Sequence, residues 1–262
     1  MAWTSDGIAA RIAAEIASES VVSIGIGVPA RVADHVDLKG PVMLHMENGI
    51  LGIGPRQAAN QSAPDVANAN GVPAGVRADA AFFDIDLSIR MMRGGHIDVA
   101  VLGAIEVTHN GDLAGWRVPG AVDSGMGGAM DLVVGARRII VCMSHTSSGG
   151  AAKLVPDCRL PLTGTGVVDT VVTGLGVFAV RDGAFHLTEL ADDVSWDEVV
   201  AATTGALVDA RGDAPEPAPA EPDEDFDELL AAAEPDAPSV DDEEPADDRP
   251  DDGSLAGDDG AG

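Results

Sequence analysis

The sequence predicts an α/β fold of three layers, with helices covering both faces of a mostly parallel or mixed sheet. Two observations lead there. Short apolar runs at residues 21–24, 41–44, 98–103 and 138–143 lack the polar alternation of a half-solvated strand, which marks strands buried on both faces. Segments of helical character lie between them, and strands that alternate with helices pack into a sheet with covered faces.

From the start of the chain, Ser5 is placed to cap a first helix in which Ile8, Ile12 and Ile16 recur every four residues as one buried stripe. Residues 21–24 form the first strand. Gly25-Ile26-Gly27-Val28-Pro29-Ala30 follows, a G-x-G-x-x-A pattern with proline where the first turn of a helix accepts it. A second strand over 41–44 puts Glu47 at its carboxyl end, the edge of an open α/β sheet where ligands bind. Asn48-Gly49, Gly52, Gly54 and Pro55 then make a glycine-rich rim. Residues 61–77 show no periodicity and are expected to be a loop, and 82–93 a helix stopped by Gly94-Gly95. After a strand over 98–103 and a turn at Gly111-Asp112, Gly125 to Asp131 forms a second glycine-rich loop. It leads into a short helix through Gly135 and a strand over 138–143. Residues 147–150, Ser-Ser-Gly-Gly, read as loop. Strands within 167–180 and over 184–190 follow, with a turn at Asp182-Gly183, and Ser195-Trp196-Asp197-Glu198 has capping-box spacing for a last helix.

Composition divides the chain into a body, residues 1–211, and an acidic segment rich in Pro, Ala and Asp, residues 212–262. The second part holds 20 Asp or Glu against one basic residue, Arg249, and has few large apolar side chains. It buries too little surface to offset chain entropy, so a disordered tail is expected. The chain of 262 residues carries −29, of which the tail holds −19, leaving −10 on the body. An acidic body argues against phosphate contacts, so no nucleic-acid partner is expected. Net charge that far from zero also strains the compact state, and salt is expected to relieve it. Cys142 and Cys158 are the only cysteines, and Cys142 lies in an apolar run, so no disulfide framework is expected. Asp6, Arg11, Glu15 and Glu19 interrupt the first twenty residues, unlike the apolar segment of a signal peptide. No apolar run approaches the roughly 20 residues of a membrane span. A cytoplasmic protein with no membrane partner is the expectation.

Glu47 is thus one carboxylate presented on a glycine-rich rim. Spacing alone leaves two readings open: a solvated residue in an Asn-Gly turn, or a group that faces a ligand. Gly25, Gly27 and Ala30, with Glu47 about 20 residues on, also match a dinucleotide fingerprint. There glycine lets the backbone meet a pyrophosphate and the acid takes a ribose hydroxyl. No His, Cys and Asp cluster has metal-ligand spacing, so no metal is expected.

Several stretches in order carry a more specific signal: Gly25-Ile-Gly-Val-Pro29, Glu47-Asn-Gly-Ile-Leu-Gly-Ile-Gly-Pro55, Met92-Arg-Gly-Gly-His-Ile-Asp98, Gly111-Asp-Leu-Ala114, Gly125-Met-Gly-Gly-Ala-Met-Asp-Leu-Val133 and Leu160-Pro-Leu-Thr-Gly164. Together, over roughly residues 5–208, they resemble the B subunit of the class I 3-oxoacid CoA-transferases, the family that includes succinyl-CoA:acetoacetate CoA-transferase. The resemblance implies a CoA-transferase (NagB/RpiA-like) fold. It also implies transfer of CoA from succinyl-CoA or another acyl-CoA to acetoacetate or a related 3-oxoacid, with ping-pong kinetics. In that family the Glu of Glu-Asn-Gly, here Glu47, is the nucleophile. A carboxylate suits this role because it forms an anhydride and a thioester in turn. Gly128 matches the glycine whose amide faces the reacting carbonyl, and Asn48 would orient Glu47. Gly25, Gly27, Gly49, Gly52 and Gly127 fall in the motifs expected to hold substrate and CoA. His96 and His145 are not required, since the mechanism shuttles no proton. No cofactor is implied, coenzyme A being a substrate, and a separate A subunit is implied, in an A2B2 assembly.

The sequence departs from the family pattern at three places. Met46 stands where Ser commonly precedes the nucleophile, Asn70-Gly71 where Gly-Lys is common, and Ala78-Asp79 where Pro-Gly is common. A lysine missing beside the site bears on how anionic CoA or a diacid is held, so substrate identity stays open. The Gly-Met-Gly-Gly loop and Leu132-Val133-Val134-Gly135 lean toward the acetoacetate branch. A β-ketoadipate or short-chain fatty acid CoA-transferase subunit is the alternative within the family. A dinucleotide-binding oxidoreductase and a non-catalytic binding subunit are the alternatives outside it.

Overall fold

A computed structural model of the chain describes residues 2–16, 20–37, 39–58, 65–117 and 125–212. The expected acidic tail, from residue 213 on, lies outside them. Helix α1 (Ser5–Glu15) turns Ile8, Ala9, Ile12 and Ala13 inward, and Ile16 just past its end is buried too. Thr4 caps it rather than Ser5. Thr4 has the extended backbone a cap needs (φ −70°, ψ 170°), and its hydroxyl accepts from Gly7 N at 3.2 Å.

Strand β1 (Val21–Ile24) leads into a 3-10 helix (Pro29–Asp34) with proline in its first turn. Strand β2 (Met43–Met46) then reverses through a turn at residues 47–49 into the antiparallel β3 (Ile50–Arg56). Gly52, Gly54 and Pro55 therefore belong to a strand and not to a loop. At Gly52 a Cβ would stand 3.1 Å from Ala80 Cα on β4 (Ala74–Phe82), so this glycine serves cross-strand packing. Strand β4 corrects the sequence expectation at both ends, taking residues 74–77 from the expected loop and Phe82 from the expected helix. Its Ala, Gly, Arg and Asp content gives no apolar run to read, and pairing with β3 is what extends it. Helix α2 (Ile85–Arg93) starts after Asp84, whose carboxylate accepts from Leu87 N at 2.8 Å.

The remaining elements are β5 (Val99–Gly103), β6 (Glu106–Thr108), β7 (Leu113–Ala114), α3 (Ala129–Gly135), β8 (Arg138–Cys142), β9 (Leu154–Val155), β10 (Thr170–Val172), β11 (Gly176–Arg181), β12 (Ala184–Leu190), α4 (Trp196–Ala202) and β13 (Leu207–Asp209). Both halves of the capping box form on α4: Glu198 N donates to Ser195 Oγ at 3.2 Å and Ser195 N to Glu198 Oε2 at 2.8 Å. Ten strands make one sheet in the order β13-β12-β11-β10-β8-β5-β1-β2-β3-β4, and β7-β6-β9 make a small second sheet. From β10 to β2 the large sheet is parallel, and antiparallel pairs flank that centre on both sides.

Alternation along the central strands supplies two cores. Val99 and Val101 of β5 with Ile140 and Cys142 of β8 face α1 and the 3-10 helix. Ala100, Leu102, Ile139 and Val141 face the other way, onto Met92 of α2, Leu132 and Val133 of α3, and Val199 of α4. Each fully buried Leu, Ile or Phe contributes about 2 kcal/mol from removing its apolar surface from water. Burial on both faces explains why these strands read as unbroken apolar runs.

Candidate functional site

Because β1, β2, β5 and β8 run parallel, their carboxyl ends meet along one edge of the sheet. A cavity of about 550 Å³ opens there. Its walls come from residues 23–26 at the end of β1, 46–48 at the end of β2, Leu102 and Gly103 of β5, and 125–127 with Ala129 and Leu132 around the start of α3. Ile85, Leu113, Trp116 and Thr163 complete it, together with Asn68, Ala69 and Gly71. The walls are largely apolar, and Glu47 is the sole charged side chain among the described lining residues.

Glu47 follows β2 directly and is half-buried, with no hydrogen bond or ion pair to another described residue. The second glycine-rich loop closes directly on its carboxylate. A Cβ at Gly127 would lie 3.4 Å from Glu47 Oε1, and one at Gly128 would lie 2.8 Å from Glu47 Cδ and 3.0 Å from Met92 Cε. At Gly128 only a residue without a Cβ lets the backbone approach so closely, whereas at Gly127 a Cβ would make ordinary contact and the backbone angle is what asks for glycine. Gly127 takes the left-handed φ of 55°, and Gly128 is the N-cap of α3. Two successive peptide groups thus stand against one carboxylate in a cavity with little other polarity.

The other site residues expected from the sequence separate into two groups. Gly25 and Asn48 line the cavity, though no hydrogen bond joins Asn48 to Glu47 among the described residues. Gly27 is exposed at the same turn. Its N–H donates to Asn70 Oδ1 at 2.7 Å, and Asn70 Nδ2 donates to its carbonyl at 3.1 Å. Asn70 therefore takes the amide that a pyrophosphate would use, and the helix that follows is a six-residue 3-10 helix, which removes the support for a dinucleotide site. Gly49 and Gly52 do not line the cavity. A Cβ at Gly49 would fall 1.9 Å from Phe83 O, and Phe83 N donates to Gly49 O at 3.0 Å, so both glycines serve the packing of β3 against β4 and the turn into α2.

The histidines also separate. His96 is exposed and does not line the cavity. His145 is buried between Thr173 Oγ1 and Thr203 Oγ1, each 2.9 Å from a ring nitrogen, and burial pushes its pKa down to about 4. Burial pushes the Cys142 thiol above its ordinary range, which leaves it inert. Among the described residues no cluster of His, Cys, Asp and Glu could hold a metal ion, and no helix is long and apolar enough to cross a membrane. Sequence reading missed Ser23 and His45, which form a buried polar contact beneath Glu47, and Trp116, Ile85 and Met126 of the apolar wall. A Ser and a His each lying inside an otherwise apolar strand is their one trace in the sequence, and that the two pair comes only from the β1–β2 register.

Residues 6–202 match the family model described as coenzyme A transferase. The beta subunit of the acetate CoA-transferase of Escherichia coli strain K12 is 45% identical over 185 residues, covering 71% of this chain and 84% of that protein. The B subunit of the succinyl-CoA:3-ketoacid coenzyme A transferase of Helicobacter pylori strain 26695 is 43% identical over 194 residues, covering 74% and 93%. Among solved structures, the acyl-CoA transferase YdiF of Escherichia coli O157:H7 as apoenzyme superposes with a TM-score of 0.62 at 18% identity. That match covers 80% of this chain but only 42% of the longer chain, and at such identity it speaks for the fold alone.

Proposed function

Since this chain belongs to the coenzyme A transferase family, we propose that it is the B subunit of a 3-oxoacid CoA-transferase, and that Glu47 is its nucleophile. The observation that carries this reading is the close approach of the Gly127–Gly128 backbone to the Glu47 carboxylate, with Glu47 and Gly127 both lining the cavity. A Glu47 oxygen attacks the carbonyl carbon of an acyl-CoA, succinyl-CoA or another, and the thiolate of CoA leaves, giving a mixed anhydride. The thiolate then attacks the glutamyl carbonyl, the first carboxylic acid departs as carboxylate, and a glutamyl-CoA thioester remains. Acetoacetate or a related 3-oxoacid reverses both steps and carries CoA away. One thioester replaces another, so no ATP, proton or cofactor is consumed, and coenzyme A enters only as substrate.

Each step passes through a tetrahedral oxyanion, and a donor already in place there is worth about 2.7–4 kcal/mol. The Gly128 amide is the group assigned to this role, because its α-carbon is held against Glu47 with no Cβ between. The names of the relatives, each one subunit of a transferase, support a separate A subunit; an A2B2 assembly in which that subunit completes the site is part of the proposal. The test is to incubate the complex with acyl-CoA and no acceptor acid, then search by mass spectrometry for a CoA adduct on the peptide that contains Glu47. A Glu47→Ala variant with full transferase activity would end the proposal.

A further inference from the structure

Beneath Glu47, the strand that carries it holds a buried hydrogen-bonded chain. His45 is 0% exposed, with Nδ1 3.1 Å from Ser23 Oγ and Nε2 3.0 Å from Ser88 Oγ. Ser23 on β1 and Ser88 on α2 are 1% and 0% exposed, and the Phe83 ring stacks on the imidazole. Of the three polar residues only Ser23 lines the cavity. In the β1–β2 register Ser23 pairs with His45. It therefore sits one strand over from Glu47 and two residues short of it, about 7 Å along the strand.

Burial keeps His45 uncharged, its pKa pushed down to about 4. A neutral imidazole has one N–H and one bare nitrogen, so one serine must donate to it and the other must accept from it. With the proton on Nδ1, His45 donates to Ser23 Oγ and Ser88 donates to Nε2. The hydrogen of the Ser23 hydroxyl is then free to point into the cavity. With the proton on Nε2, Ser23 spends that hydrogen on His45 and offers the cavity only lone pairs.

We propose that Ser23 Oγ is a substrate-binding hydroxyl, set by His45 to donate to the oxo oxygen of a 3-oxoacyl group whose reacting carbonyl lies at Glu47. This rests on the reading of Glu47 as nucleophile. A ketone oxygen accepts and never donates, so it selects the tautomer protonated on Nδ1. Leu102, Leu132, Ile24 and Met46 line the same cavity without offering a side-chain donor, while Asn48, Asn68 and Thr163 are further polar side chains on its wall, so an oxo oxygen placed beside Ser23 regains from its hydroxyl the hydrogen bond lost with water. An acyl group without the oxo oxygen would leave the Ser23 hydrogen unmatched. His45 is a positioning residue in this arrangement, acting through Ser23.

The experiment compares acetoacetate with butyrate, the same chain without the oxo group, as CoA acceptors for the complex with its A subunit. Ser23→Ala is expected to lower the acetoacetate-to-butyrate ratio of kcat/KM by about tenfold to a hundredfold, the range for leaving one buried polar group unmatched. His45→Gln, which keeps a donor and an acceptor, should retain the ratio, and His45→Leu should lose it with Ser23 still present. An unsubstituted complex without preference for the oxo acid, or a ratio unchanged in Ser23→Ala, overturns the assignment. Adduct formation at Glu47 from acetoacetyl-CoA is followed in the same samples. Its absence in the unsubstituted complex marks failure of the Glu47 chemistry, whereas its presence with an unchanged ratio marks failure of the Ser23 assignment alone.

Discussion

At Gly128 a single methyl group tests the site. Its Cβ would meet Glu47 Cδ at 2.8 Å and Met92 Cε at 3.0 Å, so either the carboxylate or the loop must move. Gly128→Ala is expected to lower kcat by about a hundredfold to a thousandfold, as when an oxyanion donor is lost. Steady-state kinetics with a thermal melt on the same sample checks this, and an unimpaired kcat would separate the contact from the reaction. The buried histidines give a second prediction at this scale. His45 and His145 have pKa values pushed down to about 4 by burial, His145 also by Lys153, while unfolded chain titrates them near 6.5. Between those values the unfolded state binds more protons. Their contribution is therefore fully present above about pH 6.5 and is lost as the pH falls toward about 4. At about 1.4 kcal/mol per pH unit and site, the combined loss approaches about 7 kcal/mol. The melting temperature should fall across that window, and His145→Gln should flatten the profile; a variant profile parallel to the parent's would refute the assignment. Glu47 was legible in the sequence because an apolar strand ended beside glycines. Ser23 and His45 were not, since only the β1–β2 register sets them side by side.

Among elements, the α2–α3 crossing positions the loop that closes on Glu47. A Cβ at Gly135 would fall 1.8 Å from Met92 O, so the end of α3 lies directly on the backbone of α2. The ion pair of Arg93 with Asp131, Nε to Oδ1 at 2.6 Å, spans the same crossing but is exposed at the arginine and adds little. Gly135→Ala must push the helices apart. Overpacking costs about 1–3 kcal/mol, which for a body of this size lowers the melting temperature by on the order of 5 °C. Because Met92 also touches the Gly128 position, kcat should fall with it, and a stable, fully active variant would show that the crossing does not set the loop. The long elements were readable because buried strands carry unbroken apolar runs and helices carry caps and stripes. β6, β7, β9 and β13 were not, being two or three residues long and defined by their partners more than by their own side chains. β4 escaped for a related reason: an edge strand of Ala, Gly, Arg and Asp acquires its identity from β3.

For the molecule as a whole, charge is the feature most legible from composition and the one the fold does least to neutralise. The body carries −10 and the whole chain −29. Many basic side chains are already engaged: Arg11 with Glu15 and Glu189, Arg138 with Glu15, Arg56 with Asp34, Arg77 with Asp79 and Arg159 with Glu106. The excess acid therefore acts as diffuse repulsion. Two unit charges 20 Å apart in water repel by about 0.2 kcal/mol, and the excess charges of the body make some tens of such pairs. At about 0.1 M salt the Debye length is near 10 Å, which cuts the repulsion at 20 Å to about a seventh, while ion pairs in contact lie well inside that length and weaken less. Relief of repulsion wins, and most of it comes before molar salt is reached. The chain truncated to residues 1–211 is thus expected to gain melting temperature from about 0.01 M to about 0.1 M KCl and to level off toward 1 M. The full chain should show the same curve if its acidic segment stays clear of the body, and a steeper one if the extra charge acts on it. A melting temperature that stays flat or falls over the low-salt range in the truncated chain would show that paired charges, and not the net charge, control the electrostatics of this fold.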